Sequence, residues 1–228
     1  TQVSTEDIAT AMVQVLEQMD SSGHSTPTEL TPFQEKEVDQ VLEMSDQLTS
    51  HGIEIDPWTE ITAGNAAKLA GRTHSAQQNF LRALKTFRKN GDRKGEANLL
   101  SALGYIATAR RDLVEAERLF RESLAITREI GDRKGEATLL VELGRCVKKG
   151  NKVEGATHFA EAFRIRREIG DREGEANSLV ELGWCFKEGN KDESKRCFTE
   201  AVQIRREIGD LEGAANLLVK LGRNANYI

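Results

Sequence analysis

A seven-residue phrase, Gly-Asp-Arg-Lys-Gly-Glu-Ala, begins at Gly91 and returns at Gly131. It recurs as Gly-Asp-Arg-Glu-Gly-Glu-Ala at Gly170 and weakens to Gly-Asp-Leu-Glu-Gly-Ala-Ala at Gly209, giving steps of 40, 39 and 39 residues. A second marker, Leu-Gly, keeps those steps at Leu103-Gly104, Leu143-Gly144, Leu182-Gly183 and Leu221-Gly222. Two independent markers in register define an internal repeat. A period in this range means that one unit cannot bury its own apolar face, so neighbours must stack to form a continuous core.

Each unit reads as two helices. The first is predicted over Asp92 to Ala109, where Asp92 accepts hydrogen bonds from orphan amides and Gly91 takes the left-handed conformation that ends the preceding helix. Leu100, Leu103 and Ala107 fall three and four apart, the spacing of a buried stripe, and Arg110, Arg111 and Asp112 supply a polar turn. The second helix runs to about Ile130 and repeats a small, aromatic, small, large rule. Ala116, Phe120, Ser123 and Leu124 are matched by Gly155, Phe159, Ala162 and Phe163, and then by Ser194, Phe198, Ala201 and Val202. Helices approach closely only where side chains are small, so each phenylalanine is expected to fill the space between pairs, with Gly104, Gly144 or Gly183 marking the opposing side of the close crossing. Mid-helix glycine costs ~1 kcal/mol relative to alanine, and its recurrence implies a packing need. Gly64, with Ala76, Phe80, Ala83 and Leu84, extends the pattern to a degenerate unit over about 52–90.

Composition narrows the function. Of 228 residues, 38% are apolar, 30% charged and 5% aromatic, with three prolines, which favours extended helical surface over strand-rich folds. A net charge of -5 does not suit a general nucleic-acid binder. Cys146, Cys185 and Cys197 are odd in number and lack zinc or redox spacing, which points to a reduced, cytoplasmic setting. No apolar run approaches the ~20 residues that span a bilayer, and no signal pattern opens the chain, so no membrane partner is expected. Residue 1 is a threonine, so the chain is read as an excised or processed piece. His24, His51, His74 and His158 are scattered without i, i+4 partners, and no nucleophile, metal or phosphate-loop constellation occurs. No catalytic residue, metal site or cofactor is therefore expected, and the chain is read as a non-enzyme.

These residues resemble the tetratricopeptide repeat family, whose pattern sets Leu-Gly before a small residue, a phenylalanine and a second small residue. The unit here is 39 or 40 residues rather than about 34, and the family's closing proline is absent. The longer unit is similar to the repeats of spindle-orientation adaptors and of bacterial multi-helix regulators. The resemblance implies an all-α fold, a right-handed α–α superhelix of the solenoid type with extra N-terminal helices, whose first helices line a concave groove. The asparagine that such adaptors carry before Leu-Gly is replaced by Ala102, Glu142, Glu181 and Lys220. The family's lysine and asparagine clamp for a C-terminal carboxylate has no match.

If first helices line the groove, the stripe opposite their buried side faces a ligand. It comprises Asn98, Ser101, Tyr105 and Thr108; Thr138, Val141, Arg145 and Lys148; Asn177, Val180, Trp184 and Lys187; and Asn216, Val219 and Arg223, at helical spacings of three and four. Amides bind extended backbone, valine rows make shallow apolar pockets, and Trp, Tyr and Arg are strong interface anchors. The partner implied is a protein or peptide segment, acidic or aromatic-acidic in character. Trp184 and Tyr105 equally suit packing against neighbouring helices. The Arg166-Arg167-Glu168 and Arg205-Arg206-Glu207 runs read as a solvated outer face.

Two further helices are expected before the repeats. Ile8, Met12, Val15, Leu16 and Met19 form one apolar stripe and Val38, Val41, Leu42 and Leu48 another, with a turn-rich linker from Ser21 to Pro27. Residues 1–51 thus cap the repeats or dock into a groove, and 52–228 form the repeat domain. Its units are about 52–90, 91–130, 131–169 and 170–208, with a terminal half unit over 209–228. There Leu217, Leu218 and Leu221 lack a covering second helix, which leaves self-association through either end as an expectation. Two functions stay open: an interaction scaffold that captures a protein segment, and a regulatory sensor whose curvature changes when a signalling peptide binds.

Overall fold

The computed structural model describes residues 31–223. The stripe expected around residues 5–20, the linker from Ser21 to Pro27, and the side chain of Arg223 lie outside that description. Among the described residues every regular element is an α-helix. In chain order these are α1 (Pro32–Ser50), α2 (Pro57–Leu69), α3 (Thr73–Asn90), α4 (Arg93–Ala109), α5 (Leu113–Glu129), α6 (Arg133–Val147), α7 (Lys152–Glu168), α8 (Arg172–Phe186), α9 (Lys191–Glu207) and α10 (Leu211–Arg223). The fold is all-α, of helix pairs repeated along the chain. No described helix is long and apolar enough to cross a membrane. The chain divides into two compact units after Ile106, inside α4.

Helix starts follow from local chemistry. Thr31 opens α1 with a reciprocal capping box to Gln34, and Pro32 supplies the fixed φ of a first helical residue. Asp56 opens α2 by accepting from the amides of Trp58 and Thr59. The Gly-Asp phrase works the same way each time. Gly91, Gly131, Gly170 and Gly209 sit at φ between 71° and 78°, a left-handed conformation that glycine adopts without steric penalty. The aspartate that follows then accepts from an amide three residues on, as Asp132 Oδ1 does from Gly135 N at 2.9 Å. One dipeptide ends a helix and begins the next, as expected. The turn into α5 instead uses Arg111 at φ 63°, the one described non-glycine residue with positive φ.

In the first unit, α1 packs on α2 and α2 on α3. Val38, Val41 and Leu48 of α1, Ala63 and Ala67 of α2, and Phe80 and Ala83 of α3 are buried. A polar hub joins the three helices. Glu60, 2% exposed, accepts from Arg82 Nε at 2.8 Å, while Arg82 Nη2 donates to Ser45 Oγ at 2.7 Å and Asn79 Oδ1 at 2.9 Å. Burial raises the Glu60 carboxyl above its ordinary pKa against the opposing pull of Arg82. Such a hub demands that all its members arrive together, so it specifies how α1 seats.

In the second unit each helix packs on its chain neighbour from α5 through α10. Phe120, Phe159 and Phe198 are buried, and a Cβ added at Gly144 would fall 2.7 Å from Phe159 Cε1, and one at Gly183 2.9 Å from Phe198 Cε1. Gly64 meets Phe80 in the same way in the first unit. The Leu-Gly marker is therefore the seat of the aromatic plug, and each ring meets its glycine inside one helix pair, whereas the expectation set it between pairs. Burying one such ring stabilises by about 1.5–3 kcal/mol.

The repeated Glu of the phrase carries a second device. Glu136 accepts from Arg128 Nε at 2.8 Å and also from Arg133; Glu175 accepts from Arg167 Nε at 2.7 Å and Arg172 Nη1 at 2.6 Å. Both carboxylates are buried, so each clamp ties the end of one helix to the start of the next. The arginines reach onward too: Arg128 to Glu161 at 2.8 Å, Arg133 to Glu168 at 2.8 Å, and Arg167 to Glu200 at 2.5 Å. The outer faces of consecutive pairs are thus laced together.

Candidate functional site

The face assembles where α6 and α8 run side by side across α7. Thr138, Val141, Glu142 and Arg145 from α6, Arg166 from α7, and Asn177, Val180 and Glu181 from α8 line one cavity of about 350 Å³. Of the stripe named from the sequence, Thr138, Val141, Arg145, Asn177 and Val180 meet there. Spacings of three and four within α6 and α8, repeated 39 residues apart, bring them to one place.

Its polar floor is a chain of ion pairs. Arg145 donates through Nη1 to Glu142 Oε1 at 2.9 Å and through Nε to Glu181 Oε1 at 3.0 Å, and Lys148 Nζ donates to Glu181 Oε2 at 2.8 Å. Arg145 and Lys148, the basic members of the predicted stripe on α6 and just after it, are already engaged by carboxylates from the same face. The two glutamates differ. Burial pushes Glu142 above the usual carboxylate range despite Arg145. For Glu181 the same burial is outweighed by Lys148 and Arg145, which hold it below.

Arg166 corrects the expectation of a wholly solvated outer face. Its side chain is 12% exposed, whereas neighbouring Arg167 is 52% exposed and joins the outer ladder. Consecutive residues on a helix point about 100° apart, so one arginine turns out while the other turns in. Gly174 clears the path: a Cβ there would lie 2.7 Å from Arg166 Cδ. Arg166 Nη1 donates to Gly174 O at 2.8 Å and to Ser178 Oγ at 3.3 Å, and its Nε lies 3.8 Å from Asp171. Burial lowers its pKa against the pull of Asp171. Arg205, one repeat on, behaves alike and donates through Nη2 to Asn177 Oδ1 at 2.8 Å. The second glycine of the phrase was the available signal for these inward arginines, together with Glu142 and Glu181 at the place before Leu-Gly.

The other stripe residues sit elsewhere. Trp184 is half-buried, edge-on to Phe198 with ring centroids 4.9 Å apart, and Lys187 Nζ lies 5.1 Å from the indole centroid. Lys148 is half-buried, 5.7 Å over the Phe159 ring. Asn216 and Val219 are exposed on α10, and the backbone of Arg223 ends that helix. In the first unit Asn98 and Tyr105 are exposed on α4 and Ser101 is half-buried. Cys146 and Cys197 are buried thiols, each pushed up to about 11 chiefly by burial. Among the described residues no cluster of His, Cys, Asp or Glu is grouped to hold a metal ion.

Comparison with known proteins agrees with this geometry. Residues 56–129 match the tetratricopeptide repeat family. No curated protein sequence matches the chain. Among solved structures, the apo form of RapI superposes with a TM-score of 0.75 at 15% identity, covering 95% of this chain and 76% of its own. A putative kinesin light chain with nearly identical TPR-like repeats, from Podosopora anserina, gives 0.65 at 14% identity over 89% and 98%. A Rap protein complexed with competence and sporulation factor gives 0.59 at 14% identity over 78% and 52%. At these identities the structures establish the fold. The family match is thus to residues 56–129, and the fold of the chain is that of all-α, TPR-like repeat proteins.

Proposed function

We propose that this chain is a non-catalytic interaction scaffold that holds a protein segment on the first-helix face of its second unit. The observation that carries the reading is the cavity between α6 and α8, in which residues assigned to that face from sequence meet around apolar walls. Val141 and Val180 offer shallow apolar contact, and Thr138 and Asn177 offer groups for extended backbone. An acidic segment, the partner expected from the sequence, would have to displace Glu142 or Glu181 from Arg145 and Lys148. Apolar and backbone contacts therefore carry the affinity. In this reading residues 1–51 cap a repeat domain formed by 52–228. Self-association through the amino-terminal segment or α10, whose Leu218 and Val219 are exposed, accompanies it.

A second reading, a sensor that changes curvature on binding a signalling peptide, is favoured by the likeness to RapI and to a Rap protein solved with a bound factor. Both share one test. Peptides selected from a displayed random library on the full chain should lose about tenfold or more in affinity for Val180→Asp. Enriched peptides indifferent to that change, or no enrichment, contradict the site. Ligand-induced change in scattering dimensions separates the sensor from the scaffold.

A further inference from the structure

The ion pairs around the cavity leave a specific remainder. Glu142, Glu181 and Asp171 face Arg145, Lys148 and Arg166, so carboxylates and cations balance. A charged guest would leave one charge uncompensated in a half-buried site, which is costly. The hydrogen-bonding valences do not balance. Glu181 has both oxygens taken, whereas Glu142 accepts through Oε1 alone; among the described residues its Oε2 accepts nothing. Arg166 donates through Nη1, and its Nη2 donates to nothing described. Asn177 has its carbonyl oxygen taken by Arg205 and keeps its amide donors. One acceptor and fixed donors thus line a small cavity whose other walls are Val141 and Val180. At about 350 Å³ it is near the lower bound of ligand pockets and has room for a side chain.

We infer that this cavity is a carboxamide site: one neutral side-chain amide of the held segment, from Gln or Asn, gives its N–H to Glu142 and takes a hydrogen bond from Arg166 at its C=O. The inference rests on the segment-binding reading and adds the chemistry that this part of the face selects. A site built for hydrogen bonds rejects isosteres that leave its polar groups unpaired, so an amide and its acid are separated strongly.

The test uses the full chain and three blocked amino acids, N-acetyl-glutamine N-methylamide and its glutamate and lysine counterparts, followed by backbone amide NMR. Glutamine should give saturable shifts at Glu142, Arg145, Asn177 and Val180, with the other two about tenfold weaker or worse. Glu142→Gln is the discriminating variant. Its amide can keep the bond from Arg145 while turning N–H donors to the cavity, so preference should pass from glutamine to glutamate. A merely structural Glu142 would weaken all three probes alike. Equal or stronger binding of glutamate or lysine to the unaltered chain overturns the carboxamide site while leaving segment binding standing. Shifts from none of the probes overturn it as well, and library peptides insensitive to Val180→Asp would remove the segment reading beneath it.

Discussion

The junctions between α7 and α8 and between α9 and α10 share a turn and differ in what reinforces it. Both have a left-handed glycine, Gly170 at φ 72° and Gly209 at φ 78°. Both have an aspartate cap, Asp171 Oδ1 on Gly174 N at 2.9 Å and Asp210 Oδ1 on Gly213 N at 2.8 Å. At the first, Glu175 is clamped by Arg167 and Arg172. At the second, Ala214 stands in place of the glutamate and exposed Leu211 in place of an arginine. The turn is thus set by Gly-Asp alone. The clamp is an added tie between consecutive helices, and α10 lacks it.

If the aromatic plugs, common to both repeats, carry more stability than the clamps, Phe159→Ala should have the largest effect. Its ring is buried against Gly144, so truncation should cost ~3–5 kcal/mol, read as a shift in chemical denaturation midpoint. A loss below about 1 kcal/mol would mean that the register of the repeat is misplaced. Glu175→Ala should cost less, about 2 kcal/mol. It strands two arginines, but both are about half exposed and water compensates them.

At α10 the missing clamp can be built in. Leu211→Arg with Ala214→Glu rebuilds the clamp with Arg206, and should slow amide hydrogen exchange in α10 by several-fold while leaving α6 unchanged. Equal exchange before and after would show that the clamp does not tie helices.

The smallest effects are expected from the two face glutamates, and they differ in sign. Glu142 has its folded pKa raised above 4.5, so its ionisation costs stability; that cost appears as pH rises through the folded value. Glu142→Gln should therefore gain on the unaltered chain between about pH 4 and 7. Glu181 has its pKa lowered, so it contributes stability above 4.5 that is lost as pH falls through the folded value. Glu181→Gln should be less stable at neutral pH and converge with the unaltered chain in acid. Parallel melts of both variants across that range check the signs.

What the sequence made legible follows from distance along the chain. The Gly-Asp turns and the helix pairs depend on local residues and a fixed period, and they appear at their expected places; the Phe rings are buried as expected but meet their glycines within a pair. Five residues of the predicted face line the cavity for the same reason. Arg166 did not announce itself because its direction depends on Gly174, on the next helix, which opens its route. The buried state of Glu175 was equally hidden, since it needs Arg167 and Arg172 from two helices at once. Trp184 illustrates the limit of a stripe: its helical position is that of Arg145 one repeat later, but its ring leans on Phe198.

Photo-crosslinking tests the proposed face most directly. A library-selected peptide carrying a benzoylphenylalanine would be irradiated with the unaltered chain and the crosslinked residues mapped. The proposed face requires adducts on α6 and α8 around Val180 and none around Arg164, on the exposed side of α7; adducts around Arg164 alone would place the partner on the opposite surface and contradict it.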